Sequence, residues 1–431
     1  MLLIKNGRVI DAASKTDAKL DVFIECDHVV KIAPSISAPN AEIFDATGSI
    51  VAPGFIDLHC HLREPGQEIS ETIESGTKAA ARGGFTAVCP MPNTHPVNDN
   101  ASVTRSILER AEAVSPVHVW PIGAASKEST GEQLAEIAAM QQAGAVGVSD
   151  DGRPIASARL LRQVMEYCGP LGLPVIDHCE DSSLAAGGVM REGSRSVRLG
   201  LQGIPSASES ICVGRDVEVA ALTRARLHIA HMSTRASLEH VRAVKRQGLA
   251  VTCEVTPHHF TLIDEDVQYD SRYKMNPPLA SRDDRAALLE GLADGSVDAI
   301  ATDHAPHHPA SKDVEFDRAP FGITGFETAI ALALSELVHA KRISLMRMVE
   351  LFTTGPARVL GREVSLAEGA VADITIFSPD RTWTFRAADS PSRSRNTPFD
   401  GRNFRGGPVA TIVGGHIVWR LEVSAAGRTA I

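Results

Sequence analysis

Two histidines one residue apart, in Asp57-Leu58-His59-Cys60-His61, are the first residues of this chain whose types and spacing suggest chemistry. Side chains of a strand alternate with period two, so both imidazoles point the same way. Paired neutral imidazoles aimed at one place need a common partner, and a divalent cation is the natural one. Further strand-like runs end in Asp150-Asp151, His178, His231 and Asp303. Four histidines and two carboxylates at five strand ends predict a metal centre. Imidazole with carboxylate suits zinc, with manganese or cobalt as substitutes. The isolated histidines His118, His228, His240 and His416 read instead as hydrogen-bonded structural residues.

These side chains sit on a repeating scaffold. Eight short apolar runs can be followed, from GFIDLHCH near residue 54 to VDAIATDHAPHH near residue 297, with amphipathic helical stretches between them. Strand–helix alternation repeated eight times predicts an α/β fold, a (β/α)8 TIM barrel, whose active site lies where the strands end. The alternative is a doubly wound open sheet, which calls for a G-x-G-x-x-G turn after the first strand; none is present. On the first strand, Asp57, His59 and His61 are expected to face inward while Ile56, Leu58 and Cys60 meet the helices. On the eighth, Ala299, Ala301 and Asp303 form the inward set. Short apolar stretches broken by Gly, Asn and Asp turns mark both ends of the chain. They predict a small β-sandwich domain from residues 1–51 and 366–431, beside a barrel domain over 52–365.

Composition narrows the function. The 43 Lys and Arg against 53 Asp and Glu give a net charge of −10, which argues against a nucleic-acid partner. No run of 18 apolar residues occurs and no apolar core of signal-peptide length opens the sequence, so no membrane partner is expected. Seven dispersed cysteines without a CxxC pair read as reduced thiols of a cytoplasmic protein.

The stretch PGFIDLHCHLREPGQE, followed by MPNTHPVND, GVSDDGRPI, DHCED, AHMST, TPHH, MNPPL, ATDHAPH and APFGITGFET, resembles the cyclic amidohydrolases, most closely the type I bacterial dihydroorotases. The resemblance spans nearly the whole chain. It implies reversible hydrolysis of the ring amide of dihydroorotate to N-carbamoyl-L-aspartate, the ring closure of pyrimidine biosynthesis. It implies two zinc ions, one held by His59, His61 and Asp303, the other by His178 and His231, with Asp151 and a hydroxide bridging them. Two ions so placed generate hydroxide near neutral pH. Asp303 is then the catalytic group that takes the proton of the attacking hydroxide and returns it to the leaving nitrogen.

Many relatives bridge their ions with a modified lysine, but there is no lysine between Lys127 and Lys245. A carboxylate must serve, and alternation chooses which one: Val146 and Val148 put Asp150 on the helix side, leaving Ala145, Gly147, Ser149 and Asp151 inward. For the substrate, the resemblance implies His61, Leu62, Arg63, Asn93, Asn276, His307, Phe321 and Gly322. Among them Arg63 can fork onto the substrate carboxylate; its bland alternative is a rim ion pair with Glu64 or Glu68. One departure is Ala280, where the family's N-P-P-L motif continues with arginine. Residues 308–320 are expected to form a mobile loop. The resemblance further implies a homodimer and allows association with aspartate transcarbamoylase. The competing functions are a hydantoinase or allantoinase, and an inactive partner of that transcarbamoylase.

Overall fold

The computed structural model describes residues 1–422; the expected sandwich assignment of 423–431 lies outside them. Parallel strands Phe55–Cys60, Phe85–Pro90 and His118–Val119 pair in that order, and Val175–Asp177, Leu227–Ile229, Val251–Val255 and Ala299–Ile300 pair in theirs. The fourth strand is reduced to a bridge at Val148, which pairs in parallel with Gly123 on one side and Val175 on the other. A parallel bridge between Cys60 and His304 closes the ring. The result is an eight-stranded parallel barrel wrapped by helices.

Helix ends follow local chemistry. Thr72 caps Ile73–Arg82 by accepting from Ser75 N–H, Asn100 caps Ala101–Val114, and Gly172 ends Ala158–Leu171 in a left-handed turn. The helix Ala207–Thr223 has no clear apolar stripe in the sequence. It packs on three other helices and buries Glu209 and Asp216 along with Cys212, Val213 and Val217, which breaks the periodic signal. The helical region after the eighth strand is divided: it passes from Ala329–Ala333 into a π-helical stretch, turns, and resumes as Leu345–Phe352 and Thr354–Leu360.

A four-stranded sheet and a six-stranded sheet form the sandwich. Only the second mixes the two ends of the chain, through antiparallel pairing of Ile50–Pro53 with Ile374–Thr384. Leu2, Ile4, Val22, Ile24, Ile374, Ile376 and Ile412 fill the space between the sheets. Residues 386–400 leave this sandwich and run along the barrel. There Ser392 Oγ and Arg393 N–H donate to the buried Glu71 carboxylate, and Asn396 Nδ2 donates to Ala305 O and Gly322 O, both at 3.0 Å. No described helix is long and apolar enough to cross a membrane. All seven cysteines are free thiols, six of them buried.

The first strand departs from strict alternation. Ile56 and Leu58 pack with Ala87, Cys89, Ile122, Ile176, Ala299 and Ala301, a set contributed by five strands that can meet only inside the barrel. The cause is a bulge: Asp57 lies opposite Val88 and Cys60 opposite Pro90, three steps on one strand against two on its neighbour. The expected inward position of Asp57 and outward position of Ile56 and Leu58 are therefore corrected. Asp57 turns to the eighth strand, where its carboxylate accepts from Thr302 N–H (2.7 Å) and Thr302 Oγ1 (2.6 Å), fixing the residue before Asp303. Burial pushes the Asp57 carboxyl up to about 7 against these hydrogen bonds.

Candidate metal centre and substrate cavity

The bulge returns His59 to the interior, beside His61. His59 Nε2 stands 3.3 Å from Asp151 Oδ1 and 3.7 Å from Asp303 Oδ1. His61 Nε2 stands 3.1 Å from Asp303 Oδ1 and 3.6 Å from Asp151 Oδ2. On the other side of Asp151 Oδ1 lie His178 Nδ1 at 3.6 Å and His231 Nε2 at 3.5 Å, and these two nitrogens face each other at 2.9 Å. The six residues predicted as metal ligands thus converge on one centre, with Asp151 common to both halves. Every one of them is buried.

These residues fit a metal. His59 Nε2 and Asp151 Oδ1 are buried without a hydrogen-bond partner, a costly state for polar atoms unless something else binds them. Ligands about 2.0–2.1 Å from a tetrahedral zinc are spaced by roughly 3.3 Å, close to the separations found here. Burial opposes ionisation of Asp151 and Asp303, but the surrounding histidines outweigh it and hold both carboxyls well below the usual range. His231 and Asp303 have φ of +29° and +45° and Arg63 has +60°, conformations that non-glycine residues adopt only when their surroundings impose them. A second grouping, Asp177, Cys179, Cys212 and Asp216, involves the helix Ala207–Thr223 rather than the cavity lining. The Arg215 guanidinium pairs with Asp216 at 2.7 Å and already offsets its charge.

Asp150 has a separate task. Its carboxylate accepts from Ala125 N–H (2.9 Å), Ser126 N–H (3.0 Å) and Ser126 Oγ, tying the third strand to the fourth. Gly147 faces the inward side chains of Ile122 and Ile176, so on this strand alternation does hold.

A cavity of about 220 Å³ opens onto the centre. His61, Arg63, Asn93, Asn276, His307, Phe321 and Gly322 line it together with Asp151, His178, His231 and Asp303, while His59 lies behind them. Leu62 is not among the lining residues; its side chain is turned into the core, against Gly76. Asn93 lines the cavity with both ends engaged, its Oδ1 with His61 Nδ1 (2.9 Å) and its Nδ2 with Asp151 Oδ2 (3.1 Å). Asn276 Nδ2 lies 3.2 Å from His178 Nε2 and donates to Glu180 (3.1 Å), but its buried Oδ1 has no partner. His307 Nε2 pairs with Phe321 O, and burial, with Arg63 nearby, pushes the His307 imidazole down to about 3. Gly322 is held on both sides, its N–H donating to Lys274 O and its carbonyl accepting from Lys312 Nζ and Asn396 Nδ2. A Cβ there would meet Ala305 Cβ at 2.6 Å on a backbone at φ +122°.

Arg63 is half-buried at the cavity wall. Its Nε donates to Pro306 O (3.1 Å), yet no carboxylate of the described residues pairs with it. Glu64 pairs with Arg110 (3.1 Å) and Glu68 accepts from Gly66 N–H (2.7 Å), so the rim ion pair considered from the sequence does not form. Near the turn that ends in Ala280, the buried Arg191 donates to Pro278 O (3.2 Å), so a cation stands there although Ala280 supplies none.

The loop expected to be mobile is fastened from beneath. Lys312 Nζ donates to Pro320 O (2.9 Å) and Gly322 O (3.0 Å), and Lys274 Nζ donates to Phe316 O (2.8 Å) and Asp317 O (3.0 Å). Burial, with Lys274 close by, lowers Lys312 to about 7. An unfolded lysine keeps its proton to about 10.4, so between about pH 7 and 10 the unfolded chain binds more protons and stability rises with pH. Relative to Lys312→Met, the wild type is expected to gain on the order of a few kcal/mol across that window. Urea unfolding of both proteins at pH 7 and pH 9 measures it; an unchanged difference would mean that Lys312 is not perturbed by burial.

Residues 48–237 match the Dihydro-orotase-like family. The dihydroorotase of Solibacter usitatus is 57% identical over 426 residues, covering 98% of this chain and 99% of the other, and that of Pelotomaculum thermopropionicum is 51% identical over 424 residues, covering 98% and 99%. The chain belongs to the dihydroorotase family. Among solved structures, the dihydropyrimidinase from Brevibacillus agri superimposes with a TM-score of 0.85 at 25% identity, covering 97% of this chain and 95% of the other. The L-hydantoinase from Arthrobacter aurescens superimposes at 0.87 with 24% identity, covering 100% and 97%, a likeness of fold. As a member of the dihydroorotase family the protein is a cyclic amide hydrolase with a TIM barrel and a β-sandwich. Asn396 and the Glu71–His304 pair beneath the mouth, at 3.3 Å, were not singled out from the sequence, since an isolated Asn or Glu carries no positional signal.

Proposed function

We propose that the chain catalyses reversible hydrolysis of the ring amide of dihydroorotate, giving N-carbamoyl-L-aspartate, with two zinc ions held by His59, His61 and Asp303 and by His178 and His231, and shared by Asp151. The observation that carries the substrate assignment is Arg63, a half-buried guanidinium at the wall of a small cavity with no carboxylate partner among the described residues. Dihydroorotate brings a carboxylate; hydantoin and dihydrouracil do not. The names borne by the relatives support the same reading.

The cavity divides the work among its residues. Arg63 binds the carboxylate and so sets the ring's orientation. Asn276 Oδ1, the unpaired acceptor, takes a ring N–H. Divalent ions held by these histidines and aspartates would supply a water of lowered pKa and a Lewis acid for the ring carbonyl. Asp303 accepts the proton of the attacking water on its carboxylate and delivers it to the departing ring nitrogen; ring closure runs the same transfers backwards. Neutral His307 and the fastened Phe321-Gly322 turn shape the wall and limit the entry of further water. The free cysteines fit a reducing cytoplasm.

Arg63→Ala tests the assignment. Losing a charge-assisted pair is expected to lower kcat/KM for dihydroorotate by about tenfold to a hundredfold, with zinc content unchanged, because about 1.4 kcal/mol corresponds to each factor of ten. Arg63→Lys should recover part of the loss, since an ammonium cannot reproduce the fork. Dihydrouracil is the control substrate. A wild type that prefers it, or an Arg63→Ala enzyme with intact dihydroorotate turnover, would favour the hydantoinase-like function.

A further inference from the structure

Carboxylates face His59 from two sides. Its Nε2 looks toward Asp151 and Asp303, while its Nδ1 stands 3.4 Å from Glu254 Oε1. Glu254 belongs to the seventh barrel strand and is wholly buried. Its second oxygen, Oε2, stands 3.1 Å from His228 Nε2, and the other nitrogen of His228 stands 2.8 Å from Thr252 Oγ1. The carboxylate also reaches the other half of the centre. Glu254 Oε1 accepts from the backbone N–H of His231 (3.4 Å), and the Glu254 carbonyl accepts from Met232 N–H (2.9 Å). His231 is the residue with φ +29°, so its backbone is held where it would not rest unaided.

A histidine that binds a metal through Nε2 keeps its proton on Nδ1. A carboxylate that accepts this proton fixes the ring's orientation and tautomer and raises its basicity as a ligand. His61 has a neutral counterpart of the arrangement, its Nδ1 facing Asn93 Oδ1. A buried carboxylate is costly unless polar groups surround it, and His228 Nε2 lies 3.1 Å from it on the side away from the centre. We propose that Glu254 is a positioning residue that braces both halves of the metal centre, orienting the His59 ring through Nδ1 and the His231 backbone through its N–H, and that His228 acts only by fixing the Glu254 carboxylate. The inference rests on the two-metal reading above.

The test is an equilibrium zinc titration of the metal-stripped full chain against a chromophoric chelator, for wild type, Glu254→Gln, His228→Gln and the double variant. Glu254→Gln is expected to weaken zinc binding at both equivalents by about 10–100-fold, the usual cost of losing such a partner, while the melting temperature of the metal-free chain changes little. His228→Gln should weaken both several-fold, and the double variant should bind no more weakly than Glu254→Gln, because His228 has no separate route to the metal. Wild-type affinity in Glu254→Gln, or weakening confined to one equivalent, overturns the proposal. So does a fall in metal-free stability with affinity unchanged, which is what a merely structural carboxylate would give. Should Glu254→Gln fail to fold, His228→Gln decides: wild-type zinc affinity in that variant overturns the proposal. A wild-type chain that fails to bind two equivalents removes the two-metal reading itself, a result visible without any variant.

Discussion

Asp303→Asn is expected to lower kcat by about 10²–10⁴ while leaving KM for dihydroorotate within a few-fold of wild type, because the amide keeps the shape of the carboxylate but cannot take up a proton. Asp303 Oδ1 lies 3.1 Å from His61 Nε2 and 3.7 Å from His59 Nε2, and the asparagine oxygen can occupy that position. Zinc content should therefore fall little. This separates proton transfer from ligation: Asp303→Ala removes both functions and should lose zinc as well. Steady-state kinetics with elemental analysis on the two variants decides the matter. An Asp303→Asn enzyme within tenfold of wild-type kcat would show that another group moves the proton.

Asp151→Ala is expected to have the second large effect. Asp151 Oδ1 is the atom shared by both ligand groups, within 3.3–3.6 Å of His59, His178 and His231. Its loss should take the chain from two zinc equivalents to one or none. Activity should fall by about a thousandfold or more, since a bound metal contributes several kcal/mol of transition-state stabilisation. The neighbour provides the contrast. Asp150→Ala leaves the centre untouched but strands the buried N–H groups of Ala125 and Ser126, at about 1–3 kcal/mol each. It should keep zinc and turnover at low temperature and lose thermal stability instead. Calorimetry and zinc analysis of the pair would reveal an exchange of roles as metal loss in Asp150→Ala.

Two adjacent aspartates with such different tasks show what a sequence can carry. Period-two alternation is a local property of one strand, so where a strand is regular the pattern suffices to separate Asp151 from Asp150. On the first strand the same rule misplaces Asp57, Ile56 and Leu58, because a bulge is a relation between two strands and leaves no mark in either alone. The histidines nonetheless meet the carboxylates there, since the extra residue falls between Asp57 and Cys60.

By itself the sequence determined the barrel, through eight repeats of strand and helix, the sandwich, through the strand-like texture of both ends, and the residue types able to hold a metal, through their recurrence at strand ends. These are features of composition and period, which neighbouring residues encode. The tertiary structure alone decided what each polar atom faces. It withdrew Leu62 into the core, engaged Asn93 with His61 and Asp151, left Arg63 without a carboxylate, and laid Asn396 over Ala305 and Gly322 from 74 to 91 residues away. It also set Glu254 between His59 and His228, two histidines that look alike as letters. Buried polar atoms must find partners wherever the fold brings them, and those pairings depend on distances between strands that no single strand specifies.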